Sequence, residues 1–429
     1  MEYGLIGGKL GHSYSKEIHE AIADYRYDLV EMPPEALGAF FEARVFRALN
    51  VTIPYKESVI PFLDEISEKA LSIGAVNTVL NRNGKLYGYN TDFSGMCALF
   101  RRAGLDPSGK KVMILGTGGT AKTALAVSSH LGASGTVLVS RTGKEGAATY
   151  EEAVSSHPDT EILVNATPSG MYPDEDGLPV DPACFPRLQG VIDVIYHPLR
   201  TNLVLEAGRL GIPAEGGLYM LAAQAAEASA LFTGLTGAEE DPSPSVREKI
   251  REMTEQAYRK VLSEKQNLVL IGMPSAGKSL AAKLISEMTG RPFVNTDDLV
   301  EEKLGEPIPD FIRREGEAAF RALEREAVRE ASRFEGAVIA TGGGTVLDPE
   351  NTRALKREGK LIFLRRELSA LQPAEDRPLS DTPEKLRKMF ERRRPVYEAA
   401  ADGTAEGCED PVETARAVLG AYEESEALA

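Results

Sequence analysis

The string Gly272-Met273-Pro274-Ser275-Ala276-Gly277-Lys278-Ser279 constrains this chain most, because it fits G-x-x-x-x-G-K-[ST] at every fixed position. The apolar run Leu268–Ile271 precedes it, and Leu280, Leu284, Ile285 and Met288 follow at helical spacing. A strand that turns through glycines into a helix aims backbone N–H groups at phosphate oxygens. Lys278 then reaches the β- and γ-phosphates, and the Ser279 hydroxyl holds Mg²⁺. The pattern predicts a parallel α/β domain that binds a nucleoside triphosphate.

A chain of 429 residues holds about three domains of ~150 residues each. Residues 1–236 alternate short β-rich runs with helical patterns. Glu239-Glu-Asp-Pro-Ser-Pro-Ser245 is a polar, Pro-rich break. A helix is expected after it, with Val246, Ile250, Met253, Ala257 and Val261 on one stripe that packs on a neighbouring domain. Residues 237–265 are thus read as linker and helix, and 266–429 as the last α/β block. Asn83-Gly84 between two β-rich runs predicts a hairpin turn.

The formal charge of −16 argues against nucleic-acid binding, so anionic ligands must be held by local arginines and lysines. Cys97, Cys184 and Cys408 form neither a disulfide framework nor a zinc motif. The start Met1-Glu-Tyr-Gly has no signal-peptide character and no run approaches a membrane span. A cytoplasmic, non-membrane protein is expected.

A second glycine-rich turn follows a strand pattern: Val112–Leu115 runs into Gly116-Thr117-Gly118-Gly119-Thr120-Ala121. Such glycines let backbone approach a pyrophosphate at a helix start. A site for NAD wants an acidic residue after the next strand, to take the ribose 2′-hydroxyl. This chain has Ser140-Arg141-Thr142-Gly143-Lys144 there, cations suited to a 2′-phosphate, which favours NADP over NAD.

Around this unit stand Gly11-His12-Ser13-Tyr14-Ser15, Asn50-Val-Thr52-Ile-Pro54-Tyr-Lys56, Gly74-Ala-Val-Asn77-Thr78 and Asn90-Thr91-Asp92. Asn165-Ala-Thr167-Pro-Ser-Gly170-Met171, Asp193-Val-Ile-Tyr196 and Gly217-Leu-Tyr-Met-Leu-Ala-Ala-Gln224 continue the series. In order and spacing, residues 3–234 resemble the shikimate dehydrogenases. The resemblance implies reduction of 3-dehydroshikimate to shikimate by NADPH. Reducing a ketone by hydride needs a proton donor where alkoxide charge develops, and Lys56 fills that role, paired with Asp92. It further implies that Ser13 and Ser15 donate to the substrate carboxylate, while Thr52, Asn77, Asp92, Tyr196 and Gln224 read the remaining polar groups. Gly217 joins the glycine loop and residues 140–144 in the coenzyme set. The substrate domain is expected at 1–104 and 218–236, and the NADP domain at 105–217. His12 and His19 are read as structural. Lys16, Glu20 and Phe93 depart from the family's usual Pro, Asn and Gly.

Beyond the phosphate loop come Phe293-Val-Asn295-Thr-Asp297, Gly316-Glu317-Ala-Ala-Phe320-Arg321-Ala-Leu-Glu324 and Thr341-Gly342-Gly343-Gly344-Thr345. Arg377-Pro-Leu379 and Arg393-Arg-Pro395-Val-Tyr397 follow. Residues 267–422 resemble the shikimate kinases, which phosphorylate the 3-hydroxyl of shikimate with ATP and Mg²⁺. By that resemblance Gly272, Ser275, Ala276, Gly277, Lys278, Ser279, Leu280 and Arg377 bind ATP, with Arg377 on a lid at about residues 366–383. Asp297 accepts the proton of the attacking hydroxyl, and Arg321, Gly343 and Arg393 hold shikimate. Ser279 is the Mg²⁺ ligand. Asn295 stands where the family has an aspartate that assists the metal through water. Pro274 and the segment Leu371–Asp376 also depart from the family.

The fold class expected is α/β: a substrate-binding α/β domain, a Rossmann-like NADP domain, a helical linker and a P-loop kinase domain with a parallel sheet. The two implied reactions are consecutive, since the first product is the second substrate. Two other readings stay open: an NAD-dependent quinate/shikimate dehydrogenase, and a C-terminal nucleotide-sensing module without turnover. The resemblance leaves room for a homodimer.

Overall fold

Apolar runs bounded by glycines become strands in three separate sheets of this computed structural model, which describes residues 1–11, 13–143, 146–237, 242–371 and 382–427. The first sheet holds β1 (Tyr3–Gly7), β2 (Tyr27–Glu31), β3 (Ala48–Val51), β4 (Glu65–Ile66), β5 (Thr78–Arg82) and β6 (Lys85–Tyr89). Its order is β2-β1-β3-β5-β6-β4, with β5 antiparallel to both β3 and β6. Asn83 (φ 55°) and Gly84 (φ 83°) close the β5–β6 hairpin. That left-handed pair is the geometry an Asn-Gly turn supplies at least cost.

The second sheet is fully parallel: β7 (Lys111–Leu115), β8 (Gly135–Val139), β9 (Ile162–Asn165), β10 (Gly190–Asp193) and β11 (Ala214–Glu215), ordered β11-β10-β9-β7-β8. Strand order reverses between β7 and β9, and a ligand crevice is expected at the carboxyl ends of those strands. Helices Asp92–Arg102 and Leu218–Phe232 pack together beside the two sheets. Gly95 permits this contact, because a Cβ there would lie 2.8 Å from the Met220 carbonyl oxygen.

The helix expected after the Pro-rich break spans Pro244–Lys265. It buries Thr254, Ala257, Tyr258 and Val261, while Val246, Ile250 and Met253 are only half-buried. Ala257, Tyr258 and Val261 belong to the same core as Leu105, Val112 and Tyr219. Arg102 lies over Tyr258 and Tyr219, at 4.3 and 4.8 Å from the ring centroids. Tyr219 donates to Glu255 at 2.8 Å. The chain accordingly divides at this helix, into Met1–Leu262 and Ser263–Ala429.

The third sheet, in the second unit, is parallel and ordered β13-β14-β12-β15-β16. Its strands are β12 (Asn267–Ile271), β13 (Phe293–Asn295), β14 (Val338–Ala340), β15 (Gly359–Arg365) and β16 (Gly403–Glu406). Helix Lys278–Thr289 follows the phosphate loop but buries Lys278, Ala281, Ala282 and Ile285. The expected apolar stripe is corrected here: Leu280 and Met288 are 50% and 48% exposed. Ala281 and Ala282 let the helix lie close to the sheet, with Ile285 buried and Leu284 packed beside them, while Leu280 and Met288 turn outward. Among the described residues no helix is long and apolar enough to cross a membrane.

Candidate active sites

A cavity of about 940 Å³ opens where β7, β8 and β9 end. Gly116, Gly118, Gly119, Thr120, Ser140 and Arg141 line it, with Lys56 also in its wall. Gly116 has φ 111°, and a Cβ there would meet the Ala166 carbonyl oxygen at 2.9 Å, so the turn admits glycine alone. Gly118 caps helix Gly119–His130, and Gly118, Gly119 and Thr120 line the cavity, so the helix N-terminus stands at it. This is a fit for a dinucleotide phosphate. Ala121 is fully buried and packs the helix against the sheet. Gly217 donates its amide to Ile195 at 2.8 Å, and Thr142 is exposed beside Arg141. Lys144 and His12 lie outside the described residues.

Lys56 follows β3 and Asp92 opens helix Asp92–Arg102. Lys56 Nζ donates to Asp92 Oδ2 at 2.6 Å, with side chains 17% and 10% exposed. Asn77 Nδ2 lies 3.0 Å from Asp92 Oδ1 and 3.4 Å from Gln224 Oε1. Thr91 returns its amide to Asn77 Oδ1 at 2.7 Å. Four of the expected residues, from four separate stretches of sequence, therefore form one hydrogen-bonded set. Thr52 is packed against Gly7, where a Cβ would come within 2.6 Å of its methyl group. Ser13 and Ser15 share a 3.1 Å hydroxyl contact. Between them Tyr14 sets its ring 5.3 Å from that of Tyr196 and its hydroxyl 2.9 Å from His197 Nδ1. Burial pushes the Tyr196 phenol above its ordinary pKa, so it is a neutral hydrogen-bonding group. His19 is fully buried, stacked 4.0 Å from Tyr27, and burial lowers its pKa to about 3. It is a neutral core residue.

In the second unit the phosphate loop has three residues with positive φ: Gly272 (145°), Ser275 (63°) and Gly277 (92°). Lys278 Nζ bonds the carbonyls of Gly272 and Met273, 2.9 Å each. Ser279 is exposed at the start of its helix. Among the described residues no group of three His, Cys, Asp or Glu could hold a metal.

Gly342–Gly344 after β14 is the meeting point of the other expected residues. A Cβ on Gly342 would lie 2.7 Å from Asp297 Oδ1, and one on Gly344 would lie 2.5 Å from Arg321. Arg393 Nη1 donates to the Gly343 carbonyl at 2.9 Å. Arg321 is paired with Glu324 at 2.6 Å and Glu317 at 2.9 Å. Arg393 is 3% exposed, its Nε is buried without a partner, and burial holds its pKa below the arginine norm, with Arg321 adding repulsion. Asn295 has a task of its own: its Oδ1 accepts from the Asp297 amide at 3.2 Å, capping helix Thr296–Leu304, and its Nδ2 donates to Asp298 at 2.8 Å. Leu280 is turned outward, and Arg377 lies outside the described residues.

Sequence reasoning assigned no role to several residues at these sites. Thr167, Ser169 and Tyr150 line the coenzyme cavity. Glu324 and Thr345 bond each other at 2.9 Å beneath Arg321, and Tyr397 donates to Gly343. Thr167, Ser169, Glu324, Thr345 and Tyr397 stand inside strings already singled out; Tyr150 carried no signal.

Comparison with known proteins decides the family. A family model described as the shikimate dehydrogenase substrate binding domain matches residues 5–79. The shikimate dehydrogenase (NADP(+)) of Clostridium perfringens is 36% identical over 251 residues, covering 54% of this chain and 92% of the relative. The chain belongs to the shikimate dehydrogenase family. A model described as shikimate kinase matches residues 274–422, so the same chain carries a shikimate kinase domain. Among solved structures, shikimate dehydrogenase 1 of Peptoclostridium difficile is similar with TM-score 0.53 and 33% identity, covering 60% of this chain and 99% of that one. The shikimate 5-dehydrogenase of Thermus thermophilus, solved with NADP(H) and shikimate, has TM-score 0.51 and 31% identity, covering 61% and 99%. The protein is thus a bifunctional shikimate-pathway enzyme, oxidoreductase and kinase, with NADP and ATP as cofactors.

Proposed function

We propose that residues of the first unit reduce 3-dehydroshikimate to shikimate, and that those of the second transfer a phosphoryl group to the shikimate 3-hydroxyl. The linked set Lys56–Asp92–Asn77–Gln224, standing at the wall of the coenzyme cavity, carries the first half of this reading. NADPH supplies the hydride when bound. The Lys56 ammonium gives its proton to the ketone oxygen, and Asp92 keeps that ammonium in place. Asn77 and Gln224 orient the ring, Ser13 and Ser15 hold its carboxylate, and Thr52 and Tyr196 complete the wall. Arg141 at the cavity edge takes the 2′-phosphate.

The Arg321–Gly343–Arg393 cluster supports the second half. ATP supplies the phosphoryl group when bound. Asp297, beside Gly342, accepts the proton of the attacking hydroxyl, while both arginines hold the carboxylate. Domain limits of 1–104 with 218–236, and 105–217, fit the two sheets of the first unit. The cytoplasm is the compartment this reading expects, and a homodimer belongs to it; light scattering tests the latter. Shikimate-dependent ADP release tests the kinase half. Nucleotide binding without ADP release would leave the C-terminal block a sensing module.

A further inference from the structure

Beneath the coenzyme cavity lies a buried polar hub that the reaction itself does not use. Asp193 ends β10, is fully buried, and receives four hydrogen bonds. Asn165 Nδ2 donates to both carboxylate oxygens at 3.1 Å, Thr201 donates to Oδ2 at 2.7 Å, and the Ile195 amide to Oδ1 at 3.0 Å.

Two arms leave this hub. One runs through Asn165, whose Oδ1 accepts from the Thr167 hydroxyl at 2.7 Å and the Thr167 amide at 3.1 Å. The Thr167 hydroxyl oxygen then accepts from the Ser169 amide at 3.2 Å. Thr167 and Ser169 line the cavity. The other arm runs through Ile195, whose carbonyl accepts from the Gly217 amide at 2.8 Å and whose neighbour is Tyr196. Chain packing there is tight, since a Cβ on Gly217 would lie 2.0 Å from the Val194 carbonyl oxygen.

The donor–acceptor sense of the first arm is dictated by Asp193. A carboxylate only accepts, so the Asn165 amide must turn its NH₂ toward Asp193 and its oxygen toward Thr167. Turning that amide over would set oxygen against carboxylate and NH₂ against two donors. We propose that Asp193 is a positioning residue for the dehydrogenase, holding the Thr167–Ser169 wall of the coenzyme cavity through Asn165. This rests on the reading of that cavity as the NADP site. Burial raises the Asp193 pKa to about 6 against the donors that lower it, so at pH 7.5 it is a carboxylate and accepts all four bonds.

The test is NADPH binding by the full chain, followed by coenzyme fluorescence, together with steady-state kinetics for both reactions. Asp193→Asn sets an NH₂ against the Asn165 amide whichever way it turns, since Asn165 donates to both carboxylate oxygens. It should weaken NADPH binding and raise the NADPH KM about tenfold, the loss of roughly one charged hydrogen bond, with kcat within a few-fold of normal. Thr201→Val removes one donor and leaves the Asn165 arm whole, so its NADPH KM should stay within about twofold. Asn165→Ala cuts the same arm from the other side, should reproduce the KM effect, and decides the matter if Asp193→Asn does not fold. Kinase activity, measured from added shikimate, reports on the second unit of each variant, and a retained dehydrogenase kcat reports that the first unit is folded. Failure of the unmutated protein to bind NADPH would remove the cavity assignment on which this stands. Unmutated binding together with unchanged binding in Asp193→Asn, or in Asn165→Ala where that variant must decide, would overturn the positioning role alone.

Discussion

Lys56 Nζ lies 2.6 Å from Asp92 Oδ2, and Asn77 occupies the other Asp92 oxygen at 3.0 Å. The carboxylate is therefore committed on both sides. It can hold an ammonium in one orientation while a substrate binds beside it.

Loss of that ammonium should be selective. Lys56→Ala is expected to slow ketone reduction roughly 10²–10⁴-fold, the range for a missing general acid. Phosphorylation of added shikimate should be unchanged, because Lys56 belongs to the first unit. Reductase rates within a few-fold of normal would assign the proton to another group.

Coenzyme choice rests on Arg141 in the cavity wall. Arg141→Ala should raise the KM for NADPH by roughly 10- to 100-fold, the worth of a charge-assisted phosphate contact, with little change for NADH. Comparing kcat/KM for the two coenzymes in both proteins reads this directly. Equal use of both by the unmutated protein would contradict it.

The phosphate loop and the glycine loop of the second unit fit against each other. A Cβ on Gly343 would lie 2.6–2.9 Å from atoms of Pro274. Gly343→Ala should thus displace the phosphate loop and cut the kinase kcat/KM by about tenfold or more, the effect of a small misplacement. Adding Pro274→Gly should return much of that loss. A double variant as poor as the single one would mean that the contact with Pro274 is not the cause.

Both glycine-rich loops were legible in the sequence because their spacing encodes backbone conformation directly. Gly116, Gly272 and Gly277 all have the left-handed φ that the motif implies. Asp193 was quoted within a motif yet given no work, since its partner Asn165 is 28 positions away and only β9–β10 pairing joins them. The phosphate-loop helix misled for a different reason. Its buried positions are Lys278, Ala281, Ala282 and Ile285, whereas Leu280 and Met288, both larger than the alanines, face outward. Hydrophobic size marks a buried face poorly where a helix must lie close to a sheet. The helix Pro244–Lys265 was foreseen, but not that Tyr258 would cover Arg102 within the first unit.

Asn295 caps a helix, a task aspartate does equally well, although aspartate gives up the bond to Asp298. Asn295→Asp should keep the cap and add charge near the metal, lowering the Mg²⁺ concentration for half-maximal kinase rate. The same shift should appear in Mn²⁺ binding in the presence of ADP, read by electron paramagnetic resonance. Unchanged binding in that assay would separate position 295 from the metal.

The central claim is that one chain performs two consecutive reactions, and product analysis tests it most directly. Purified protein would be given 3-dehydroshikimate, NADPH, ATP and Mg²⁺, and the products separated by chromatography. Shikimate 3-phosphate should accumulate, with NADPH oxidised and ADP formed in equal amounts at completion. Shikimate building up with NADPH consumed and no ADP released would contradict the account.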